Sequence, residues 1–74
     1  MYNVVLHNDD EHTAAYARDC IIEIVKLSHK DATDKVLEAH ETGRSILKTI
    51  HLELAELYQA QLEEKGLQVT IEIA

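Results

Sequence analysis

Residues 67–73 alternate apolar and polar side chains without a break, in the order Leu-Gln-Val-Thr-Ile-Glu-Ile. Because successive side chains of a β-strand point to opposite faces, this period of two predicts a strand with one apolar and one polar face. Such a strand is stable only in a sheet whose apolar face is covered by other elements. Gly66, directly before it, marks the end of the preceding element. The rest of the chain therefore has to supply partner strands and the helices that cover them.

Two shorter segments are predicted to be the partner strands. Residues 2–7 are rich in aromatic and β-branched side chains, and residues 45–50 contain three apolar side chains, as is typical of short strands. The first segment runs directly into Asn8-Asp9-Asp10. Short amide and carboxylate side chains bond to their own backbone and interrupt regular structure, so this tripeptide is predicted to be a turn.

Three helices are predicted between the strands. Apolar residues recur at helical spacing from Ala14 onwards, which predicts a first helix with one apolar face. A second helix lies between Ser28, which is expected to cap its start, and Gly43, which can take the left-handed conformation that ends a helix. Residues 52–65 consist mostly of strong helix formers and predict the third.

The predicted order is β-α-α-β-α-β. It indicates an α+β fold in which three helices pack on one face of a three-stranded antiparallel sheet. With 74 residues, the chain is predicted to form a single domain over residues 1–74. A chain this short buries only about 60% of the surface it exposes when unfolded, so its core is thin. A separate cofactor domain does not fit, and binding without a cofactor is a better hypothesis than enzymatic catalysis.

The charge balance restricts the partners. Fourteen Asp and Glu against seven Lys and Arg give a formal net charge of −7. Nucleic acids and anionic membranes require clustered cations, so neither is an expected partner, whereas an acidic surface attracts cationic groups such as the α-amino end of a peptide. No apolar stretch approaches the roughly 20 residues of a membrane span, and no signal-peptide pattern opens the chain. With the single Cys20, which suits a reducing compartment, these features predict a cytoplasmic location.

The polar turn and one distant histidine form the main candidate site. The turn Asn8-Asp9-Asp10 is expected at the end of the first strand, and His40 near the end of the second helix. Amide and carboxylate oxygens accept hydrogen bonds, as does a neutral imidazole nitrogen, so a polar pocket formed by the turn and His40 would receive an ammonium group. The alternative is a solvated turn with an unrelated surface histidine, which the residue types alone favour.

Metal binding and nucleophilic catalysis are not predicted. His7, His12 and His40 are zinc-ligand types, but neither HxxxH nor CxxC spacing is present, and those spacings characterise zinc sites. Cys20 stands next to two isoleucines and has no histidine at local spacing. It is therefore predicted to be a core residue.

Several segments spread over the chain form a family pattern. They are Tyr2–Asp10, Asp31–Thr33, Leu37–His40, Gly43–Arg44, Glu53–Glu56 and Leu67–Glu72. This pattern resembles the ClpS family, the adaptors that deliver N-degron substrates to a Clp protease. The resemblance covers nearly the whole chain, and the predicted element order agrees with the family fold. It implies a recognition module that is not an enzyme.

The resemblance also implies roles for individual residues. Asn8, Asp10 and His40 are implied to hold the α-amino group of a substrate's first residue. The bulky side chain of that residue is implied to enter an adjoining hydrophobic pocket, whose walls are His12, Ala14, Ala17, Val36, Ala39 and Leu67. The third helix is implied to dock on the amino-terminal domain of a Clp ATPase through Glu53 and position 58, where Tyr58 replaces the family's lysine.

The chain departs from the family pattern near the pocket. Alanine stands at positions 14, 17 and 39, where the family carries larger side chains, so a wider pocket that favours aromatic first residues is expected. His12 and His51 stand where threonines are expected at helix starts, which predicts two weakened caps. The connection around Gly66 is several residues shorter than in the family.

Two other functions are compatible with this fold. One is a ClpS-fold interaction module that binds a different partner through the third helix and does not recognise N-degrons. The other is an acidic structural module without a pocket. The first of these functions makes no use of Asn8, Asp10 and His40 converging on one place, so their presence counts against it.

Overall fold

The computed structural model describes residues 1–74 and contains the three strands and three helices in the predicted order. They are β1 (Tyr2–His7), α1 (Ala14–Val25), α2 (His29–Thr42), β2 (Arg44–Ile50), α3 (Leu52–Glu64) and β3 (Val69–Ile73). The α+β class is confirmed. The largest difference between predicted and observed bounds is at β3, which begins at Val69 and was predicted to begin at Leu67. None of the helices has the combination of length and apolar character that spanning a bilayer requires.

β1 is the central strand of the sheet although it comes first in the sequence. The order is β2-β1-β3, and both neighbours run antiparallel to β1. The register of the pairing between β1 and β2 shifts between Val4 and Val5, as is typical of a β-bulge. Because both neighbours are antiparallel, the end of β1 lies beside the starts of β2 and β3. The polar turn therefore emerges where three chain segments meet.

The helices cover one face of this sheet, as predicted. α2 and α3 lie on the strands, and α1 packs against both helices. Every element contributes to the core, whose members are Val4, Leu6, Ala17, Cys20, Ile21, Val25, Ala32, Val36, Ala39, Leu47, Ala55, Leu62, Leu67 and Val69. The prediction of Cys20 as a core residue is confirmed. The alternating segment buries Leu67 and Val69, whereas Ile73 is 81% exposed because it lies at the end of an edge strand.

The helix caps confirm two predictions and correct one. Ser28 caps α2, and His51 precedes α3 without making a side-chain cap bond, both as predicted. The prediction of a weakened cap at His12 is wrong, because α1 starts one residue later than that prediction required. Thr13 is its N-cap, and the Thr13 hydroxyl accepts a hydrogen bond from the Tyr16 N–H at 3.1 Å. The imidazole of His12 therefore has a different role.

Candidate functional site

Backbone hydrogen bonds join the end of β1 to the end of α2. The Gly43 N–H donates to the Ala39 carbonyl at 2.8 Å, and the Gly43 carbonyl accepts from the Asn8 N–H at 3.0 Å. Gly43 has a φ of +96°, in the left-handed region that glycine adopts without steric cost. Asn8 is thereby tied to the last turn of α2, which carries His40. Two residues far apart in the sequence are brought to one place.

The first aspartate of the turn is used by the turn itself. Asp9 Oδ1 accepts a hydrogen bond from the Glu11 N–H at 2.7 Å, and Asp9 Oδ2 accepts one from His12 Nδ1. Hydrogen bonds to the charged form of a carboxyl group favour that form. The bond from Glu11 and, to a smaller extent, the interaction with His12 therefore lower the pKa of Asp9, although partial burial opposes them.

Three polar side chains around the turn have no partner within the chain. Asn8, Asp10 and His40 are exposed, and none of the side-chain hydrogen bonds or ion pairs of the protein involves them. His40 lies in the last turn of α2, where unpaired carbonyl groups give a helix a partial negative charge. Arg44, which follows Gly43, pairs with Glu72 of β3 and so does not occupy these acceptors. The site is suited to a small cation.

A cavity of about 450 Å³ opens beside these acceptors. It is lined by all nine residues that the family resemblance implied for the amine site and the hydrophobic pocket: Asn8, Asp10, His12, Ala14, Ala17, Val36, Ala39, His40 and Leu67. Sites for small ligands typically enclose about 300–1,000 Å³ and combine apolar walls with a few polar groups. The arrangement can hold one bulky apolar group next to one cation.

Sequence reasoning missed five further lining residues. They are Leu6, His7, Asp9, Thr13 and Leu37. Leu37 could have been found, because it lies three residues before His40 on a helix and such residues share a face. It is 46% exposed and lines the cavity beside His40. The contact of Leu6 with this cavity depends on the three-dimensional fold.

No group of three or more His, Cys, Asp and Glu side chains is arranged to hold a metal ion. Of the three histidines that were considered as ligands, His7 and His12 contact other side chains, and His40 makes no side-chain hydrogen bond. His7 Nε2 lies 2.7 Å from Thr70 Oγ1, and His12 is bonded to Asp9.

The residues predicted for ATPase docking lie on α3, and neither lines the cavity. Glu53 is exposed in the first turn of the helix. Tyr58 is half-buried and packs against the core. Two leucines of the same helix, Leu52 and Leu57, are 41% and 49% exposed. The helix thus presents an acidic and partly apolar surface.

Comparison with known proteins identifies the family. The family model described as "ATP-dependent Clp protease adaptor protein ClpS" matches residues 1–70. The chain belongs to the ClpS family. Its relatives include the ClpS adapter of Synechococcus sp. strain CC9902, which is 39% identical over 72 residues that cover 96% of this chain and 69% of that protein. The ClpS adapter of Synechococcus elongatus is 38% identical over 72 residues, with 96% of this chain and 76% of that protein covered.

A solved structure confirms that the fold is that of ClpS proteins. Agrobacterium tumefaciens ClpS2 bound to L-phenylalaninamide superimposes with a TM-score of 0.82, at 21% identity, over 96% of this chain and 93% of that one. ClpS proteins are adaptors of the ATP-dependent Clp protease and not enzymes. The present chain is an adaptor of this family.

We expect Asp9 to stabilise the ClpS fold at neutral pH and to lose this effect in acid. Its pKa is lower in the folded chain than its ordinary value of 3.8, so its contribution is fully present above that value and disappears as the pH falls through the folded-state pKa. Asp9→Asn should therefore reduce the free energy of unfolding at about pH 7 and change it less at about pH 2, because protonation of the Asp9 carboxyl group removes the charged form that these bonds stabilise. Urea unfolding followed by circular dichroism measures both values.

Asp10→Asn is the matched control, since the Asp10 carboxylate has no partner in the chain. It should change stability less than Asp9→Asn at about pH 7. If Asp9→Asn costs the same at both pH values, the carboxylate bonds of Asp9 are not the source of its stabilising effect.

Proposed function

We propose that this chain binds the free N-terminal residue of N-degron substrates, where that residue is bulky and hydrophobic, and presents the substrates to a Clp AAA+ ATPase for proteolysis. The observation that carries this proposal is the set of three unpartnered acceptors, Asn8, Asp10 and His40, at the mouth of a cavity with apolar walls. A protonated α-amino group has three N–H donors and a positive charge. It matches three converging acceptors, of which one is a carboxylate.

The position of the cavity supports recognition of the first residue rather than an internal one. An α-amino group and the first side chain are attached to the same carbon atom, so a site that holds the amine directs that side chain into the adjoining space. Ala17, Val36, Ala39 and Leu67 form buried apolar walls there. Burial of a large apolar side chain contributes about 1.5–3 kcal/mol. L-Phenylalaninamide, the ligand of the Agrobacterium ClpS2 structure, likewise joins a free α-amino group to a bulky apolar side chain.

Presentation to the amino-terminal domain of the ATPase is assigned to α3 in this proposal. Glu53 and Tyr58 are the proposed contacts, and the exposed Leu52 and Leu57 would add apolar area to them. This surface is separate from the cavity, so one chain can hold a substrate and an ATPase domain together. A cytoplasmic location is part of the same proposal.

A fluorescence titration tests the proposal directly. The chain contains no tryptophan, so a peptide that begins with Trp supplies the only indole signal. We expect saturable binding with a blue shift of the emission, because the indole passes from water into an apolar cavity. A peptide of the same composition with Trp in second place, behind Gly, is the control and should bind much more weakly.

The outcome separates the adaptor from its two alternatives. If no peptide with a bulky first residue binds, the chain does not recognise N-degrons. It would then be an interaction module that acts through α3, or a structural module without a ligand.

A further inference from the structure

The imidazole of His12 is fixed on three sides. Its Nδ1 atom donates a hydrogen bond to Asp9. One ring face stacks on Tyr16, with ring centroids 5.0 Å apart and planes inclined by 17°. Its Cε1 and Nε2 atoms face Gly66, where an added Cβ would lie only 3.0 Å and 3.1 Å from them. The ring therefore has little freedom to turn.

Tyr16 is itself held in place behind this ring. Its hydroxyl donates a hydrogen bond to the Lys65 carbonyl at 2.7 Å, in the short connection between α3 and β3. The two stacked rings thus bridge the start of α1 and the α3–β3 connection. Gly66, which follows Lys65 in this connection, lies against His12.

Part of the His12 residue borders the cavity. Asp9 bonds to Nδ1, Tyr16 stacks on one ring face, and Gly66 faces Cε1 and Nε2. His12 lines the cavity and Tyr16 does not, so the side of the ring that faces away from Tyr16 is the side available to a ligand. The neighbouring wall positions on α1 are Ala14 and Ala17, whose side chains end at Cβ. A rigid aromatic ring therefore stands beside a wall of small residues.

We infer that His12 determines which first residue this chain prefers, by offering its ring as an aromatic wall that stacks with planar first side chains. The inference rests on the proposed function. Aromatic pairs gain stabilisation beyond their buried area when they stack with an offset or meet edge to face, and an aliphatic side chain of similar size gains none of it. Phe, Tyr and Trp should bind about 2- to 12-fold more tightly, relative to Leu, than they would without the ring.

The test measures a ratio of affinities. Two labelled peptides that differ only in a first residue of Phe or Leu are titrated by fluorescence anisotropy on the wild type, His12→Leu and His12→Phe. Leucine fills a similar volume without a ring, so His12→Leu should reduce the Phe-over-Leu preference by about 2- to 12-fold. His12→Phe, which keeps a ring and loses the bond to Asp9, should retain most of the preference. His51→Leu is the control, because His51 lies outside the cavity, and should leave the ratio unchanged.

A second measurement uses only the wild-type protein. Binding of the Phe peptide should shift the His12 Hδ2 resonance upfield through the ring current of the ligand, and the Leu peptide should not. A preference that is unchanged in His12→Leu, or a His12 resonance that does not distinguish the peptides, overturns the inference while amine-dependent binding still supports the proposed function. If neither peptide binds the wild type, the proposed function fails, and this inference fails with it.

Discussion

Acetylation of a peptide's α-amino group should remove most of its affinity for this chain. It abolishes the positive charge and two of the three donors, and it leaves Asn8, Asp10 and His40 facing a group that cannot satisfy them. Hydrogen-bonding groups left unpaired cost about 1–3 kcal/mol, and charged ones more, so we expect a loss of at least about 5- to 150-fold in affinity. Titration of matched free and acetylated peptides with the same bulky first residue measures it. Equal affinities for the free and the acetylated peptide would show that Asn8, Asp10 and His40 do not bind the amine.

Variants on the protein side test the same site without changing the ligand. Asp10→Asn keeps the shape and removes the charge, so it should weaken the free peptide strongly and the acetylated one little. Asp34→Asn is the matched control, because Asp34 pairs with Lys30 on the exposed face of α2 and does not line the cavity. A similar loss from both variants would indicate long-range attraction to an acidic protein and not a contact with the amine.

The second large effect is expected at Gly66. Its φ is +89°, and a left-handed conformation costs a residue with a Cβ about 1–2 kcal/mol. In Gly66→Ala the new Cβ would in addition press on His12, which Asp9 and Tyr16 hold from other sides. We therefore expect a loss of unfolding free energy larger than the backbone cost alone, measured by urea unfolding. The displaced imidazole should also reduce the preference for aromatic first residues.

Gly43→Ala separates the two causes. Gly43 has a φ of +96°, but an added Cβ there would meet no atom within 4 Å, so only the backbone cost applies. The difference between Gly66→Ala and Gly43→Ala then measures the contact with His12. In a protein that already carries His12→Ala, the cost of Gly66→Ala should fall to that of Gly43→Ala, because the contact between the new Cβ and the imidazole is then absent. Equal losses in the two single variants would show that the His12 ring yields without cost.

The fold was largely predictable because its signals are local. The period of two after Gly66 and the cap at Ser28 each depend on a few neighbouring residues, and the structure confirms both. Residue chemistry alone grouped the polar turn with His40 but favoured a solvated turn, and only the family resemblance selected Asn8, Asp10 and His40 as the amine site. Their meeting depends on the bond between Asn8 and Gly43, which joins segments distant in sequence.

The family resemblance implied that His12 lines the pocket, but the contacts that fix its ring were not predictable from the sequence. A histidine before a helix was interpreted as a poor cap, because cap preference is the local signal that such a position carries. Thr13 caps α1 instead, and the position of the imidazole is decided by Tyr16 and Gly66, of which the latter lies near the other end of the chain. Long-range contacts of this kind leave no local pattern.

The central position of β1 in the sheet affects how the protein folds during and after synthesis. The strand is synthesised before either of its partners, and β3, the later one, follows all three helices. Pairing across such separations requires closing long loops, which makes folding slower than in chains dominated by local contacts. The cavity beside the turn, which Leu67 also lines, is therefore completed only when the last segment of the chain has joined the fold. On the proposed function, a nascent copy without this segment lacks one wall of the first-residue pocket, and we expect it not to retain a substrate.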